Sequence, residues 1–148
     1  MKNFQKGALL MNVMVSISIM VLLTTLSIPY FKEYQTNLKL SSAVKSLGSD
    51  LRYAQQLTIS EQIPHQVVLD RINSSYELLK IDLATTTIKN IEFDPEISYQ
   101  QISSLTNDKV IFNSYGGVSE AGQIILQNSA GQTNVINIKP SGYIELSQ

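Results

Sequence analysis

The sequence contains no cysteine, only one histidine, and charge on only 16% of its 148 residues. Without cysteine there is no disulfide framework, no thiolate metal site and no cysteine nucleophile. With His65 alone, a histidine-based metal cluster within one chain is excluded. Also missing are a serine in a nucleophile-elbow pattern and a glycine-rich loop to cradle phosphate. An enzyme is therefore the least supported class, and nothing in the sequence asks for a cofactor. About a quarter of a soluble domain's residues are charged, and the deficit here is local. No charge occurs between Lys6 and Lys32, which leaves 25 consecutive uncharged residues.

That gap defines the class. The chain opens MKNFQKG, then runs ALLMNVMVSISIMVLLTTLSIPYF from Ala8 to Phe31, 24 residues. A spanning helix needs roughly 20 mostly apolar residues at 1.5 Å each. The apolar region of a secretory signal is only about 7–15 residues long, so this run is expected to persist as an anchor. Lys2 and Lys6 precede it, while Lys32 and Glu33 follow it and offset each other. The excess of positive charge on the first side predicts a cytoplasmic N-terminus, with the rest of the chain outside. Small polar residues recur along the run: Asn12, Ser16, Ser18, Thr24, Thr25 and Ser27. Such side chains either hydrogen-bond between helices in lipid or bond back to their own helix. Pro29 removes one backbone donor and is expected to kink or loosen the helix.

Helical periodicity continues from Lys32 to Gln62, with apolar residues at Phe31, Tyr34, Leu38, Val44, Leu47, Leu51, Ala54 and Leu57. Gly48 is its weak interior point, and Pro64 ends the pattern. A helix from Ala8 to Gln62 would be on the order of 80 Å long. After Pro64 the pattern becomes short β runs with turn signals between them. They are Gln66–Asp70, Tyr76–Ile81, Thr85–Phe93, Ile97–Ile102, Lys109–Asn113, Gln123–Gln127, Asn134–Lys139 and Tyr143–Leu146. The predicted fold class is α+β, a long N-terminal helix packed on antiparallel sheet. The predicted divisions are 1–7 leader, 8–31 transmembrane helix, 32–62 helix continuation and 63–148 β-rich globular domain. One domain plus an anchor fits the length.

Other candidates have plain explanations beside functional ones. Lys32, Lys39, Lys45 and Arg52 would form a basic stripe, best explained as a solvated face. From Ala8 onward nine basic residues face twelve acidic ones, which weighs against nucleic acid as a partner. Asp94, Glu96 and Asp108 could contribute to a calcium site, but their spacing fits no loop motif; solvated loop charge is the preferred reading. His65 reads as a helix-end residue rather than a base. Asn73-Ser74-Ser75 matches the glycosylation sequon as easily by chance as by purpose.

A basic leader ending in glycine, a long uncharged helix, a proline near its end and a β domain behind it resemble the type IV pilin-like proteins. The resemblance implies that a prepilin peptidase cuts after Gly7, that the new N-terminal Ala8 is N-methylated, and that Pro29 is the helix-bending proline. The remainder is similar to the GspH/FimT-like minor pseudopilins. That likeness rests on Leu51-Arg52-Tyr53-Ala54 before the strand Val67–Leu69, and on Val110-Ile111-Phe112, Tyr115-Gly116, Ile124-Ile125-Leu126, Val135-Ile136-Asn137-Ile138 and Gly142. Two positions depart from the family. Ala8 stands where phenylalanine is usual, and Asn12 where a glutamate is usual. In the family that carboxylate pairs with the terminal amine of a neighbouring subunit. A lone charge in lipid costs roughly 2.5–3.5 kcal/mol on insertion scales, and asparagine supplies a hydrogen bond without the charge. Two readings of Asn12 stand: a tip or initiating subunit, or a tolerated polar substitution.

The implied function is a minor pilin or pseudopilin, a structural subunit of a type IV pilus or a type II secretion-like pseudopilus. Its implied partners are the prepilin peptidase, other pilins, the membrane assembly platform and membrane lipid. It would lie in the cytoplasmic membrane as a single pass, and at the cell surface or in the periplasm after assembly. Two rivals remain: a surface pilin that binds DNA or another ligand, and an uncut bitopic membrane protein with no filament role.

Overall fold

The computed structural model describes residues 2–147, with side chains from Leu10 onward except those of Ser27 and Pro29. It contains one helix, α1 (Lys2–Glu61), followed by eight strands and one short 3-10 turn, Thr106–Asp108. The chain divides into two compact units, Met1–Gln35 and Thr36–Gln148.

In the first unit the described residues all belong to α1, and none whose burial is described is buried. Its exposed side chains include Leu10, Met11, Ile17, Met20, Val21, Leu22, Tyr30 and Phe31. This is the uncharged run of the sequence, and no part of its own unit covers it.

In the second unit, α1 presents a buried row at Thr36, Leu40, Val44, Leu47, Leu51, Ala54 and Thr58. Steps of three and four keep these residues on one face. Leu38, expected on that face, is 51% exposed, and Leu40 holds the buried place instead. Two residues turn a helix by about 200°, which puts Leu38 opposite the row. The helix stops at Glu61, one residue before the expected end. Gln62 takes a left-handed φ of 56°, and its Nε2 donates to the Ile59 carbonyl at 2.7 Å. That closes one of the carbonyls left open at a helix end.

The strands are β1 (His65–Asp70), β2 (Ser75–Ile81), β3 (Thr85–Glu92), β4 (Ile97–Ser103), β5 (Lys109–Phe112), β6 (Gly122–Asn128), β7 (Thr133–Ile138) and β8 (Ile144–Ser147). They form two four-stranded sheets rather than one, in the orders β3-β2-β1-β5 and β4-β6-β7-β8. All pairings are antiparallel. Register slips between Leu78 and Leu79, and between Tyr99 and Gln101, mark an irregularity in each sheet. In β1, alternation puts His65, Val67 and Leu69 inside, as a half-covered strand requires.

The helix row and the inner faces of both sheets make one core. Leu47 and Leu51 join Val67, Leu78 and Phe112 from the first sheet and Ile124, Leu126 and Ile136 from the second. Each such side chain contributes roughly 1.5–3 kcal/mol by leaving water. Gly48 lies in this packing. A Cβ there would meet Leu146 Cδ2 at 2.9 Å, so the apparent weak point of the helix is where β8 comes close.

Candidate functional site: the apolar helix and the polar ties of the folded unit

The backbone of Gly7, Ala8 and Pro29 is helical within α1, and their side chains lie outside the described ones. Asn12 is exposed, and its main-chain oxygen accepts a 2.9 Å hydrogen bond from Ser16 Oγ. Ser18, Thr24 and Thr25 likewise donate to the carbonyls of Met14, Met20 and Val21, each four residues back. These hydroxyls are satisfied by their own helix, which is the second of the two readings of them. Within the described part of α1, an 18-residue stretch with a mean hydropathy of 2.0 is long and apolar enough to cross a membrane.

The folded unit carries a polar cluster that the sequence reading missed. Asp50 is 7% exposed on the buried side of α1. Its Oδ2 accepts from the Tyr76 hydroxyl at 2.6 Å, and Lys89 Nζ reaches both carboxylate oxygens at 2.7 and 2.8 Å. Since the Tyr76 proton is committed to Asp50, Ser46 Oγ donates to the Tyr76 oxygen, 3.2 Å away. Burial, and then the Asp50 carboxylate, push the Tyr76 phenol well above the usual tyrosine range, so it stays a donor. Tyr76 and Tyr99 both pack against Phe93, at 5.5 and 5.4 Å between ring centres. The arrangement joins α1 to β2 and to β3, a strand otherwise almost wholly exposed. One signal for it existed: Asp50 is three residues beyond Leu47 and four before Ala54, on the apolar face.

His65 is not a helix-end residue. It begins β1 and is fully buried. Its Nδ1 lies 2.8 Å from the Ile63 carbonyl, which can only accept, so the ring proton is on Nδ1. Thr58 Oγ1 donates to the Ala54 carbonyl and accepts from the His65 amide. Nε2 makes no hydrogen bond, and Glu61 Oε2 lies 3.8 Å from it. Glu61 is held by Lys80 at 2.7 Å instead.

The basic stripe does not stand as a free row. Lys39 is taken by Asp94 and Glu96, at 3.2 and 3.0 Å, and Arg52 donates to the Ile144 carbonyl at 3.0 Å. The three acidic residues weighed as calcium ligands also have partners within the chain. Asp94 and Glu96 close on Lys39, while Asp108 receives two hydrogen bonds from Arg71, at 2.8 and 2.6 Å. Among the described residues, no three His, Cys, Asp or Glu side chains are placed to hold a metal ion. In the sequon, Asn73 Nδ2 is bonded to Asp70 Oδ2 at 2.7 Å and Ser75 is buried.

The chain thus has a folded unit of helix and two sheets and, apart from it, an apolar helical unit; solved structures share its fold. The fold is similar to the minor pseudopilin EpsH of the Vibrio cholerae type 2 secretion system, with a TM-score of 0.63 and 9% identity over 73% of this chain and 95% of that one. It is similar to the Pseudomonas aeruginosa type IV minor pilin FimU, with a TM-score of 0.63 and 13% identity over 78% and 92%. It also resembles GspH of E. coli, with a TM-score of 0.55 and 14% identity over 75% and 89%. No family model and no curated protein sequence matches the chain. The fold is therefore pilin-like, α+β, of the kind seen in minor pseudopilins and minor pilins.

Proposed function

We propose that the chain is a minor pilin or pseudopilin, a low-abundance structural subunit that helps start, prime or cap a type IV pilus or a type II secretion-like pseudopilus. The observation that carries this is the pilin-like fold in a chain whose α1 carries an exposed, uncharged segment between Leu10 and Phe31. Residues 1–7 are the leader, cut after Gly7, and Ala8 becomes the methylated N-terminus. Residues 8–31 hold the subunit in the cytoplasmic membrane and then in the filament. Residues 32–62 continue the helix, and 63–148 form the domain displayed outside. The partners are the prepilin peptidase, the membrane assembly platform and other pilins.

Mass spectrometry of the N-terminus tests this directly. Expressed with a prepilin peptidase, the chain should begin at Ala8, and a bulky residue in place of Gly7 should leave the leader attached. An unprocessed chain in a cell that processes its other pilins would overturn the assignment.

A further inference from the structure

We infer that Tyr30, Phe31 and Tyr34 form an aromatic collar that seats in the outer headgroup layer of the bilayer and sets the depth of α1. The inference rests on the membrane-anchor reading above and adds the position of the helix along the bilayer normal.

Three observations converge. The first is exposure. Tyr30, Phe31 and Tyr34 are 77%, 62% and 60% exposed, so their rings are available to a partner. On a helix, position 34 lies one turn beyond 30 and 31 and between them around the axis, so the three rings fall within about 100° on one side. The second is chemistry. A tyrosine ring is apolar while its hydroxyl wants water, and such side chains settle where a hydrocarbon layer meets a wet one. Lys32 and Glu33, the first charges after Lys6, resume in the same turn.

The third observation is length. From Ala8 to Ile28 the chain is uncharged and contains no aromatic residue. These residues span about 30 Å at 1.5 Å each, the thickness of a bilayer's hydrocarbon core. The turn that follows, Tyr30 to Tyr34, then falls in the headgroup layer. An apolar face of a second chain is the rival occupant, but it would not require the rings to stand where the apolar count ends.

The chain contains no tryptophan, so a single introduced indole reports its own depth. The full chain carrying Tyr30→Trp, or Leu22→Trp as a mid-span reference, is placed in phosphatidylcholine–phosphatidylglycerol vesicles. The lipids bear bromine either near the carbonyl or near the chain end. The collar predicts that Tyr30→Trp is quenched most by the shallow bromines and Leu22→Trp most by the deep ones. Removing the collar with Tyr30→Ala, Phe31→Ala and Tyr34→Ala should broaden the Leu22→Trp depth profile. If Leu22→Trp is quenched deeply but Tyr30→Trp emits as in water, the collar is wrong and the anchor stands. Deep quenching of Tyr30→Trp, or shielding of it that grows with protein density, also overturns the collar, the latter in favour of a second copy. An unchanged Leu22→Trp profile without the rings overturns the depth-setting role. If neither position is quenched, the anchor reading itself fails.

Discussion

The Tyr76 hydroxyl donates to Asp50 at 2.6 Å, across 26 residues of sequence, and so ties β2 to the one acidic residue on the buried side of α1. Lys89 reaches the same carboxylate from β3. Tyr76→Phe should destabilise the folded unit by about 1.5–3 kcal/mol, the usual worth of a hydrogen bond to a charged group. Asp50→Ala should cost at least as much, because it strands a buried hydroxyl. A double-mutant cycle measured by urea unfolding should show coupling above about 0.5 kcal/mol between the two positions. Strict additivity would mean the bond contributes nothing.

A fragment beginning at Thr36 should be soluble, monomeric and folded. The buried row of α1 starts at Thr36, and the core residues begin at Leu40, so the cut leaves the core whole. Circular dichroism should show mixed helix and sheet with a cooperative melt. An aggregated or unfolded fragment would show that the second unit depends on what was removed.

Acid should weaken that fragment. The Lys80 bond holds the Glu61 carboxyl below its ordinary range. The Asn73 amide does the same for Asp70, the Glu96 amide for Asp94 and the Thr106 amide for Glu120. Each folded value lies below the unfolded one, so unfolding takes up protons as the pH drops. The stabilisation is fully present above about pH 4–5 and is lost as pH falls through the folded values. These groups are exposed and screened by salt, so the combined effect should be modest. The urea midpoint should be lower at about pH 3 than at about pH 7, and an unchanged midpoint would contradict the assignment.

Gly142→Ala should be disruptive. Gly142 has a φ of +79°, and a Cβ there would overlap the Gly116 carbonyl oxygen. Backbone cannot swing aside as a side-chain tip can. The left-handed conformation alone adds roughly 1–2 kcal/mol for a residue with a Cβ. A loss of more than about 2 kcal/mol is expected on chemical unfolding. A near-neutral variant would mean that this turn is not closely packed.

On the proposed function, Asn12 bears on the subunit's position in the filament. Along a shaft, an N-terminal amine in apolar surroundings needs a partner, and a neutral hydrogen bond is worth about half a charge-assisted one. On the proposed function, incorporation along the shaft should be disfavoured, and Asn12→Glu should raise it. Immunogold labelling with antibody against the β-rich domain reads this out. Label confined to ends, or a few copies per fibre, agrees with the tip reading. Dense label along the shaft would make Asn12 a tolerated substitution.

What the sequence determined by itself was everything that depends on near neighbours. The uncharged run, the change from a period of 3.6 to a period of 2 at Pro64, and the turn residues mark a helix followed by eight strands; the helix's last residue and every strand end fall within one residue of their place, while the helix begins at Lys2 rather than Ala8. These signals are local because a helix turn or a strand pleat repeats within a few residues. The same reading placed Leu38 on the buried face and His65 at a helix end, and it saw Gly48 only as a flaw in the helix. Only the tertiary structure decided those points, since each turns on a partner far along the chain. Leu146 stands against Gly48, and Lys89 reaches Asp50 across 39 residues. The division of the strands into two sheets, and the capture of Lys39 by Asp94 and Glu96, were decided the same way. Burial and pairing are set by which surfaces meet when the chain closes on its core, and no spacing along the sequence encodes that meeting.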